Sequence, residues 1–444
     1  MRRARAGVSS GSKALGMPAG LALIVLLPPS DLTTYKMILT QCAVCATELG
    51  LTLGKKCGRC STRYCGAACQ VQHWKEGGHD KLCKQIKKAG GAEQYNANNK
   101  YAEAVAVAAE ACAEDTKGQT CYICTQAVHW KTKEGLVRGC ACRGTAGFAH
   151  VSCLAEQAKI LREEAEENNL DVDARDERWA RWHTCGLCEQ RHHGVVSCAL
   201  GWACWKTYLG RPEAEWTRRL AMTQLGNGLY TARLYEDALS VMEAELAMRR
   251  RLGESEQNIL IVKNNLANSY CKLGRSEQAV DMYRDVYHGF VKFNGEEDRN
   301  TLMVAENYAT SLLALKRFKE AKSLLRKTMP VARRVLGEGH EFTLGMRWNY
   351  ARALYKAGAT LDDLREAVTT LEEAERTAQQ VLGGSHPLTK GIDSQLQNAR
   401  AALRASALSS KATEDTCSRL REEIARLKAE NAALRERRTR RRLG

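Results

Sequence analysis

The sequence predicts a mainly α protein in which two small cysteine-rich modules are followed by an α-solenoid of helical hairpins and a short coiled coil. Three observations support this class. Fourteen of the nineteen cysteines belong to two arrays that lie between Cys42 and Cys188. Beyond these arrays, small and apolar residues recur every 42 residues, and the C-terminal segment carries apolar residues at heptad spacing.

Each array supplies eight cysteine and histidine side chains in short pairs. A Cys-x2-Cys pair can place two thiolates on one metal at about 2.3 Å, and tetrahedral zinc takes two such pairs, so eight ligands indicate two ions. The first array consists of Cys42, Cys45, Cys57, Cys60, Cys65, Cys69, His79 and Cys83. The second consists of Cys121, Cys124, Cys140, Cys142, His150, Cys153, Cys185 and Cys188. We therefore expect four Zn2+ ions.

A disulfide framework is the alternative for clustered cysteines. Such frameworks belong to small secreted domains, whereas this chain has 444 residues. His79 and His150 each lie three or four positions from a cysteine, as a closing pair of zinc ligands does, and a disulfide has no use for histidine. Zinc is the favoured interpretation.

The first array resembles the MYND finger in its eight ligands, in Tyr64 just before Cys65, and in Gln70 and Trp74 after Cys69. The resemblance implies cross-bracing, with Cys42, Cys45, Cys65 and Cys69 on one ion and Cys57, Cys60, His79 and Cys83 on the other. It also implies that Gln70 and Trp74 line a groove for short proline-containing peptides. Trp74 as a packing residue of a very small module is the alternative.

The second array resembles the RING-CH (RINGv) finger, with histidine at the fifth ligand position and a Cys-x-Cys in the middle. The resemblance implies one zinc on Cys121, Cys124, His150 and Cys153, and another on Cys140, Cys142, Cys185 and Cys188. It further implies a ubiquitin ligase that contacts a ubiquitin-conjugating enzyme through Ile123 and Trp182. Such a ligase works by positioning and needs no catalytic side chain of its own.

Three features depart from the RING-CH pattern. An acidic, helix-prone insert from Glu156 to Glu177 lengthens the gap before Cys185, Glu189 follows the last ligand where activating RING domains often carry a basic residue, and no membrane span follows. A non-enzymatic zinc-finger scaffold or adaptor is therefore the competing hypothesis. A MYND-type lysine methyltransferase is excluded, because the residues after Cys188 are occupied by helical repeats.

The repeat begins after the fingers. The triplets starting at Asn265, Asn307 and Asn349 recur at 42-residue intervals, and Ala238, Ala279, Ala321 and Ala367 mark a second helix in each unit. The units resemble tetratricopeptide repeats of the kinesin-light-chain-like type, and such stacks bind peptides or helices. Asn264, Asn265, Asn307 and Asn349 are candidate contacts, although capping or inter-helix hydrogen bonds explain them equally and are favoured.

The C-terminal residues Leu420, Ile424, Leu427, Asn431 and Leu434 follow d-a-d-a-d spacing, with a polar Asn at an a position as in parallel two-stranded coiled coils. About three heptads would support either a weak homodimer or a lone helix. Cys112, Cys198, Cys204 and Cys271 are interpreted as small apolar residues, and His192 and His193 as surface residues.

The net charge of +16 suggests a nucleic-acid partner, but its distribution argues against one. The first 36 residues and the last ten supply nine of the sixteen charges, and zinc thiolates lower the charge of the remainder. The leader has the outline of a targeting peptide, although Met37 offers a second start. Reduced zinc thiolates favour a cytoplasmic or nuclear location.

The predicted organisation has six parts. They are a disordered or targeting leader (1–36), a MYND-type finger (37–88), a linker with an Ala-rich helix (89–119), a RING-CH-like finger (120–192), a tetratricopeptide solenoid (213–405) and a coiled coil with an Arg-rich tail (413–444).

Overall fold

The computed structural model describes residues 42–443, except 46, 48, 51–52, 357–358 and 385. The predicted leader and the alternative start at Met37 lie outside these residues. The described chain is dominated by helices, as the sequence predicts. Its strands are limited to a single short pair in the first cysteine array.

The first array folds around a two-stranded antiparallel sheet, β1 (Lys55–Lys56) and β2 (Arg63–Tyr64), followed by helices α1 (Ala67–Lys75) and α2 (His79–Lys88). We call residues 42–83 the first finger. Its apolar core is small and consists of Leu49, Tyr64, Ile86 and Ala92 among the cysteines. With so little apolar area to bury, a module of this size needs additional cross-links to fold.

The predicted linker forms helix α3 (Ala92–Ala111), which is more than a spacer between the fingers. Ala97 lies in the same core as Trp202, whereas Val105 and Ala108 pack into the core of the second array. The alanine-rich composition explains both the helix and its close packing, because Ala has the highest helix propensity and the smallest side chain after Gly. Its first residue, Ala92, also lies in the core of the first finger, so helix α3 contributes to three cores.

The second array, residues 121–188, is called the second finger. Val137 and Ala149 form an antiparallel bridge in it, and its long insert folds as α4 (Val151–Glu167), α5 (Val172–Trp179) and a 3-10 turn (Ala180–Trp182). The acidic insert is thus helical, as predicted. It is fastened by Arg211, which binds Glu166 and Glu215, and by the Arg162 guanidinium 4.6 Å above the Trp216 ring.

Helix α6 (Gly194–Tyr208) follows the second finger and is buried along most of its length. One side contributes Val196 and Leu200 to the core of the second finger, and the other contributes Trp202 and Cys204 to the core of the first helical hairpin. The sequence did not predict this helix as an element that joins the two parts of the chain.

In the part of the chain that the structure describes, the solenoid consists of four helical hairpins and a final helix. The hairpins are α7 (Trp216–Thr231) with α8 (Tyr235–Arg251), α9 (Glu256–Lys272) with α10 (Ser276–Asn294), α11 (Arg299–Ala314) with α12 (Phe318–Leu336), and α13 (Glu341–Lys356) with α14 (Leu361–Leu382). The final helix is α15 (Pro387–Leu443). The alanines expected at helix crossings are fully buried: Ala238, Ala267, Ala279, Ala309, Ala321, Ala351 and Ala367.

The recurring asparagines connect adjacent first helices of the hairpins. Asn307 Nδ2 donates to Asn264 Oδ1 at 3.4 Å, and Asn349 Nδ2 donates to Thr310 Oγ1 at 2.8 Å. Asn264 and Asn349 are buried. These contacts confirm the favoured interpretation, inter-helix hydrogen bonding, for Asn264, Asn307 and Asn349. Asn265 Oδ1 accepts a hydrogen bond from Asn264 on the same helix.

The last predicted solenoid helix and the predicted coiled-coil segment are one continuous helix, α15. Ile392, Leu396 and Ala399 are buried near its beginning, whereas Leu420, Ile424 and Leu427 are exposed further along. None of the helices in the described part of the chain is both long enough and apolar enough to cross a bilayer.

Candidate metal centres

Among the described residues of the two fingers, four tight groups of metal-ligating side chains are present. Within each group the candidate ligand atoms are all within 4.8 Å of one another. The groups are Cys42, Cys45, Cys65 and Cys69; Cys57, Cys60, His79 and Cys83; Cys121, Cys124, His150 and Cys153; and Cys140, Cys142, Cys185 and Cys188. In each finger the two groups alternate along the chain, so the cross-braced arrangement is present.

The distances within the groups fit zinc and not disulfides. Tetrahedral ligands about 2.3 Å from zinc lie about 3.8 Å from one another. Cys57 Sγ lies 3.9 Å from Cys83 Sγ, and Cys142 Sγ lies 3.8 Å from Cys185 Sγ. A disulfide would require about 2.05 Å, and all nineteen cysteines are free thiols. The disulfide alternative is therefore wrong.

Each histidine offers a different ring nitrogen to its cluster. Nε2 of His79 lies 3.4 Å from Cys60 Sγ, whereas Nδ1 of His150 lies 3.3 Å from Cys124 Sγ. Both histidines are buried, so the ring nitrogen that faces each cluster is shielded from water. The donor set of each cluster, either four sulfurs or three sulfurs and one nitrogen, is the set that structural zinc sites use.

A bound cation would also favour the ionised form of the thiols whose pKa is raised. A hydrogen bond with the hydroxyl of Thr47 lowers the pKa of Cys45 to about 6. Burial, together with the neighbouring Cys60 thiol, raises the pKa of Cys83 to about 12. Burial and a neighbouring thiol therefore oppose the ionisation of Cys83, and a bound zinc ion would supply the positive charge that favours it. The residues present fit zinc in all four clusters.

The local structure of the first finger requires glycine at positions 77 and 78. A Cβ atom added at Gly77 would lie 2.3 Å from Cδ2 of the buried His73, and Gly78 has a left-handed φ of +69°. Helix α2 then begins at His79, which places Cys83 one turn later on the same face. The two glycines therefore allow the turn that precedes α2, and His79 and Cys83 on this helix belong to one cluster.

The last ligand pair of the second finger is brought back by the insert. Helices α4 and α5 fold against each other, and the 3-10 turn that follows leads into the Cys185–Cys188 knuckle beside Cys140 and Cys142. The long gap in sequence is therefore compatible with a complete eight-ligand finger.

Trp182 is buried and cannot contact a partner. Its side chain is 0% exposed, and its ring lies 5.7 Å from Tyr208 and 6.3 Å from Trp179, in edge and tilted arrangements. The Gln224 side chain donates to the Trp182 carbonyl at 3.3 Å. The prediction that Trp182 contacts a conjugating enzyme is wrong, because the insert folds this residue into the core beneath α7.

His192 is also buried, contrary to the interpretation of this residue as a surface residue. Only 5% of it is exposed, and burial lowers its pKa to about 4. Its amide donates to the His183 carbonyl at 2.8 Å. His193 is exposed, as predicted. Cys198 and Cys204 are buried, as expected for small apolar residues.

Two apolar residues at the zinc knuckles keep part of their surface exposed. Ile123 is half-buried between Cys121 and Cys124, and Leu187 is 53% exposed between Cys185 and Cys188. The two knuckles are adjacent, since a Cβ atom at Gly186 would lie 3.8 Å from Tyr122 Oη. The sequence analysis missed Leu187, although it stands at the same position of its knuckle as Ile123.

A groove of about 820 Å³ opens beside Ile123 and is also lined by Trp130 and Ile160. Trp130 is 68% exposed and Ile160 is 44% exposed. On the far side Lys206 Nζ lies 3.7 Å from the centre of the Tyr101 ring. The groove therefore combines apolar walls with a positive charge held in place by an aromatic ring.

The first finger also exposes an aromatic side chain. Trp74 on α1 is 45% exposed, and its ring meets His79 edge-on at 5.8 Å. Val71, one turn earlier, is 51% exposed, and Gln70 is partly buried. Trp74 thus packs against a ligand and still presents apolar surface to solvent.

Comparison with known proteins identifies the modules. Family models match as "MYND finger" over residues 42–83, "RING-variant domain" over residues 121–169 and "Tetratricopeptide repeat" over residues 260–292 and 301–341. The chain carries all three modules. The RING-variant match ends before Cys185 and Cys188, which the structure adds to the finger.

Solved structures with a similar arrangement include the putative kinesin light chain with nearly identical TPR-like repeats from Podosopora anserina. It is 17% identical with a TM-score of 0.36, over 52% of this chain and 97% of that chain. BtubC (BKLC) from P. vanneervenii is 14% identical with a TM-score of 0.35, over 60% of this chain and 91% of that chain. No curated protein matches the chain.

The modules and the clusters together define the general role of the chain. Two zinc fingers and a tetratricopeptide stack make it a zinc-binding protein that mediates protein–protein interactions.

Proposed function

We propose that the protein is a RING-type ubiquitin ligase that recruits its targets through the tetratricopeptide repeats. The observation that carries the proposal is a pair of apolar residues at matching positions of two adjacent zinc knuckles, the half-buried Ile123 and the exposed Leu187. Apolar anchors surrounded by polar surface are typical of protein-docking sites. In this proposal Leu187, and not Trp182, contacts the conjugating enzyme together with Ile123.

The residues of the finger hold the docking surface in shape and take no part in chemistry. Zinc, when bound, supplies the cross-links that fix both knuckles. The knuckles position Ile123 and Leu187, and a ligase of this type accelerates transfer by holding the charged conjugating enzyme near its target. Such activity requires no nucleophile or base from this chain.

The first experiment is an autoubiquitination assay of the full chain with a panel of ubiquitin-conjugating enzymes. We expect chains to form with at least one enzyme and to be lost in Ile123→Ala and in Leu187→Ala. The matched control is Val381→Ala, a residue 59% exposed on α14, which should retain activity. All variants should retain four zinc ions per chain.

Glu189 offers a gain-of-function test. It is exposed directly after the last ligand, with a left-handed φ of 57°. A basic side chain at this position would be able to contact the acidic or carbonyl groups of a bound ubiquitin conjugate, so we expect Glu189→Arg to increase chain formation. No chain formation by the parent and Glu189→Arg with any enzyme would overturn the ligase proposal.

A non-enzymatic scaffold is the second candidate, and the exposed Trp74 favours it. In that case the first finger binds proline-containing peptides and the solenoid binds a second protein, without ubiquitin transfer. We expect Trp74→Ala to abolish peptide binding while zinc content is retained, and Val107→Ala, a 50% exposed residue on α3, to leave it unchanged. For either function we propose a cytoplasmic or nuclear location, where thiols remain reduced.

A further inference from the structure

Helix α15 continues beyond the body of the solenoid. Its first part is held by the buried Ile392, Leu396 and Ala399, but every described side chain from 411 to 435 is exposed. A helix that continues without packing contacts buries no apolar area of its own. Its exposed segment therefore presents a complete helical surface to a possible partner.

One face of the exposed segment is apolar. Leu420, Ile424, Leu427 and Leu434 are 59%, 52%, 46% and 55% exposed, and they follow alternating steps of four, three and seven residues. Cys417 and Asn431 complete the a positions of the same stripe. A stripe at this spacing is the seam of a coiled coil, and in the described part of the chain no residue covers it.

The charged residues beside the seam indicate which helix can pack against it. Glu423 and Glu430 occupy g positions, whereas Lys428 and Arg435 occupy e positions. In a parallel pair of identical helices in register, each g residue faces the e residue five positions later in the other chain. Glu423 then faces Lys428, and Glu430 faces Arg435. In each pair the two residues carry opposite charges.

The antiparallel arrangement is disfavoured by the same residues. It would bring g positions opposite g positions and e positions opposite e positions, so that glutamates would face glutamates and basic residues would face basic residues. Asn431 at an a position further favours two strands in register, because the two amides can hydrogen-bond across the seam. The stripe and its flanking charges thus fit a second copy of this chain.

Polar and basic residues at the flanking a and d positions limit the length of the seam. Arg438 and Arg441 fall at the next a and d positions, and Ser410 and Thr413 fall at the preceding ones. The apolar seam therefore runs from Cys417 to Leu434. An isolated helix of this length is marginal, but here the packed first part of α15 has already formed the nucleus of the helix.

We propose that residues 417–434 bind the same segment of a second copy as a parallel, in-register, two-stranded coiled coil. This interaction does not depend on whether the fingers act in ubiquitin transfer. It places two sets of fingers and two solenoids in one assembly, so targets with two binding sites gain avidity without any new contact.

The first test is the molar mass of the full chain by sedimentation equilibrium over a range of concentrations up to about 100 μM, which covers weak dimers. The mass should rise from 49.2 kDa toward twice this value. Leu420→Asp with Leu427→Asp should keep the mass at that of the monomer. The matched control, Ala425→Asp with Ala432→Asp, introduces the same side chains at exposed positions outside the seam and should dimerise normally.

A parent chain that stays monomeric at the highest concentration, or a seam variant that dimerises as well as its control, overturns the proposal. Both variants should show unchanged zinc content and thermal unfolding of the solenoid, since the substituted side chains are exposed. An effect on mass therefore reports the seam and not misfolding.

Charge exchange tests the orientation. In a parallel dimer, Glu423→Lys with Glu430→Lys should weaken association at least tenfold, and so should Lys428→Glu with Arg435→Glu. Combining all four changes in one chain restores opposite charges and should restore association. An antiparallel dimer keeps like charges opposed in every one of these variants, so equal association of all four proteins would overturn the parallel arrangement.

Cys417 tests the register. In the proposed pair it lies opposite its own copy, so oxidised glutathione should link two chains: two thiols lose two protons and two electrons, and one glutathione disulfide becomes two glutathione thiols. The linked dimer on a non-reducing gel should be lost in Cys417→Ser. Its absence from a dimerising parent would overturn the in-register pairing.

Discussion

The side chain of Trp182 shows how a residue in a partner-binding position of sequence can become structural. It is fully buried against Trp179 and Tyr208. We expect Trp182→Ala to lower the free energy of unfolding by about 3–5 kcal/mol, because removal of a large buried aromatic leaves a cavity. Urea denaturation followed by circular dichroism measures this change.

Leu187→Ala is the control, since an exposed side chain should change the free energy of unfolding by less than about 1 kcal/mol. If Trp182→Ala were as stable as Leu187→Ala, the ring could not lie in the core that the structure shows.

Glu306 on α11 gives the solenoid a pH-dependent stability. Burial raises its pKa from the ordinary 4.5 to about 7, although hydrogen bonds from Thr310 and Asn349 favour its ionised form. Asn349 Nδ2 donates to Oε1 at 3.0 Å. Because the folded state holds this proton up to about pH 7 and the unfolded state releases it near 4.5, stability falls as pH rises through this interval.

We expect Glu306→Gln to remove this pH dependence, because a neutral amide keeps the acceptor for Asn349 and has no charge to desolvate. At pH 8 the variant should be more stable than the parent by about 3 kcal/mol, and near pH 4.5 the two should be nearly equal. The measurement is the difference in unfolding free energy at each pH, in which the zinc sites common to both proteins cancel. A constant difference from pH 4.5 to 8 would contradict the assignment.

At the scale of elements, α6 and α7 approach closely enough to require glycine. A Cβ atom at Gly228 would lie 2.6 Å from the Ser197 carbonyl oxygen, and one at Gly201 would lie 3.1 Å from the Gln224 carbonyl oxygen. Backbone atoms cannot rotate away as a side chain can. The contact between the second finger and the solenoid therefore depends on these positions.

We expect Gly228→Ala to lower the free energy of unfolding by about 1–3 kcal/mol, since the added methyl must separate the two helices. Differential scanning calorimetry measures the shift. Gly210→Ala is the matched control, because no atom lies within 4 Å of its added Cβ, and it should leave the transition within about 0.5 kcal/mol of the parent. Equal effects of the two substitutions would show that α6 and α7 tolerate separation.

The sequence predicted the elements that repeat and missed those that join. The repeats were predictable because small residues recur at the helix crossings, as at Ala279, Ala321 and Ala367. The fingers were predictable because the spacing of their eight ligands indicates zinc without knowledge of the rest of the fold. Helix α6 has no partner repeat, and its buried residues surround it, so it shows no single apolar face at a period of 3.6 residues. Without such a face the sequence could not indicate what it packs against.

The site was predictable to a similar extent. The zinc ligands follow from spacing alone, because short pairs form their geometry locally. The exposure of Trp182 and Leu187 depends on how the insert folds over α7, which is a long-range contact. Sequence position near the last ligand pair therefore could not distinguish the buried Trp182 from the exposed Leu187.

At the scale of the whole molecule, the two fingers are connected to the solenoid to different degrees. Helix α6 shares Val196 and Leu200 with the core of the second finger and Trp202 with the solenoid core. The first finger has a separate core and reaches the remainder mainly through α3, for example by the bond from Gln94 to the Lys206 carbonyl. Loss of zinc from the second finger should therefore destabilise the solenoid, whereas loss of zinc from the first finger should not.

We expect Cys185→Ser with Cys188→Ser to reduce the zinc content by one ion and to lower the midpoint of helix unfolding by about 5 °C or more, because α6 loses the fixed end that follows these ligands. Cys42→Ser with Cys45→Ser should also lose one ion but leave the midpoint within about 1 °C, since its cluster lies in a separate core. Metal analysis and circular dichroism at 222 nm supply the two readouts. Equal midpoints for the two variants would show that α6 does not transmit the state of the second finger to the solenoid.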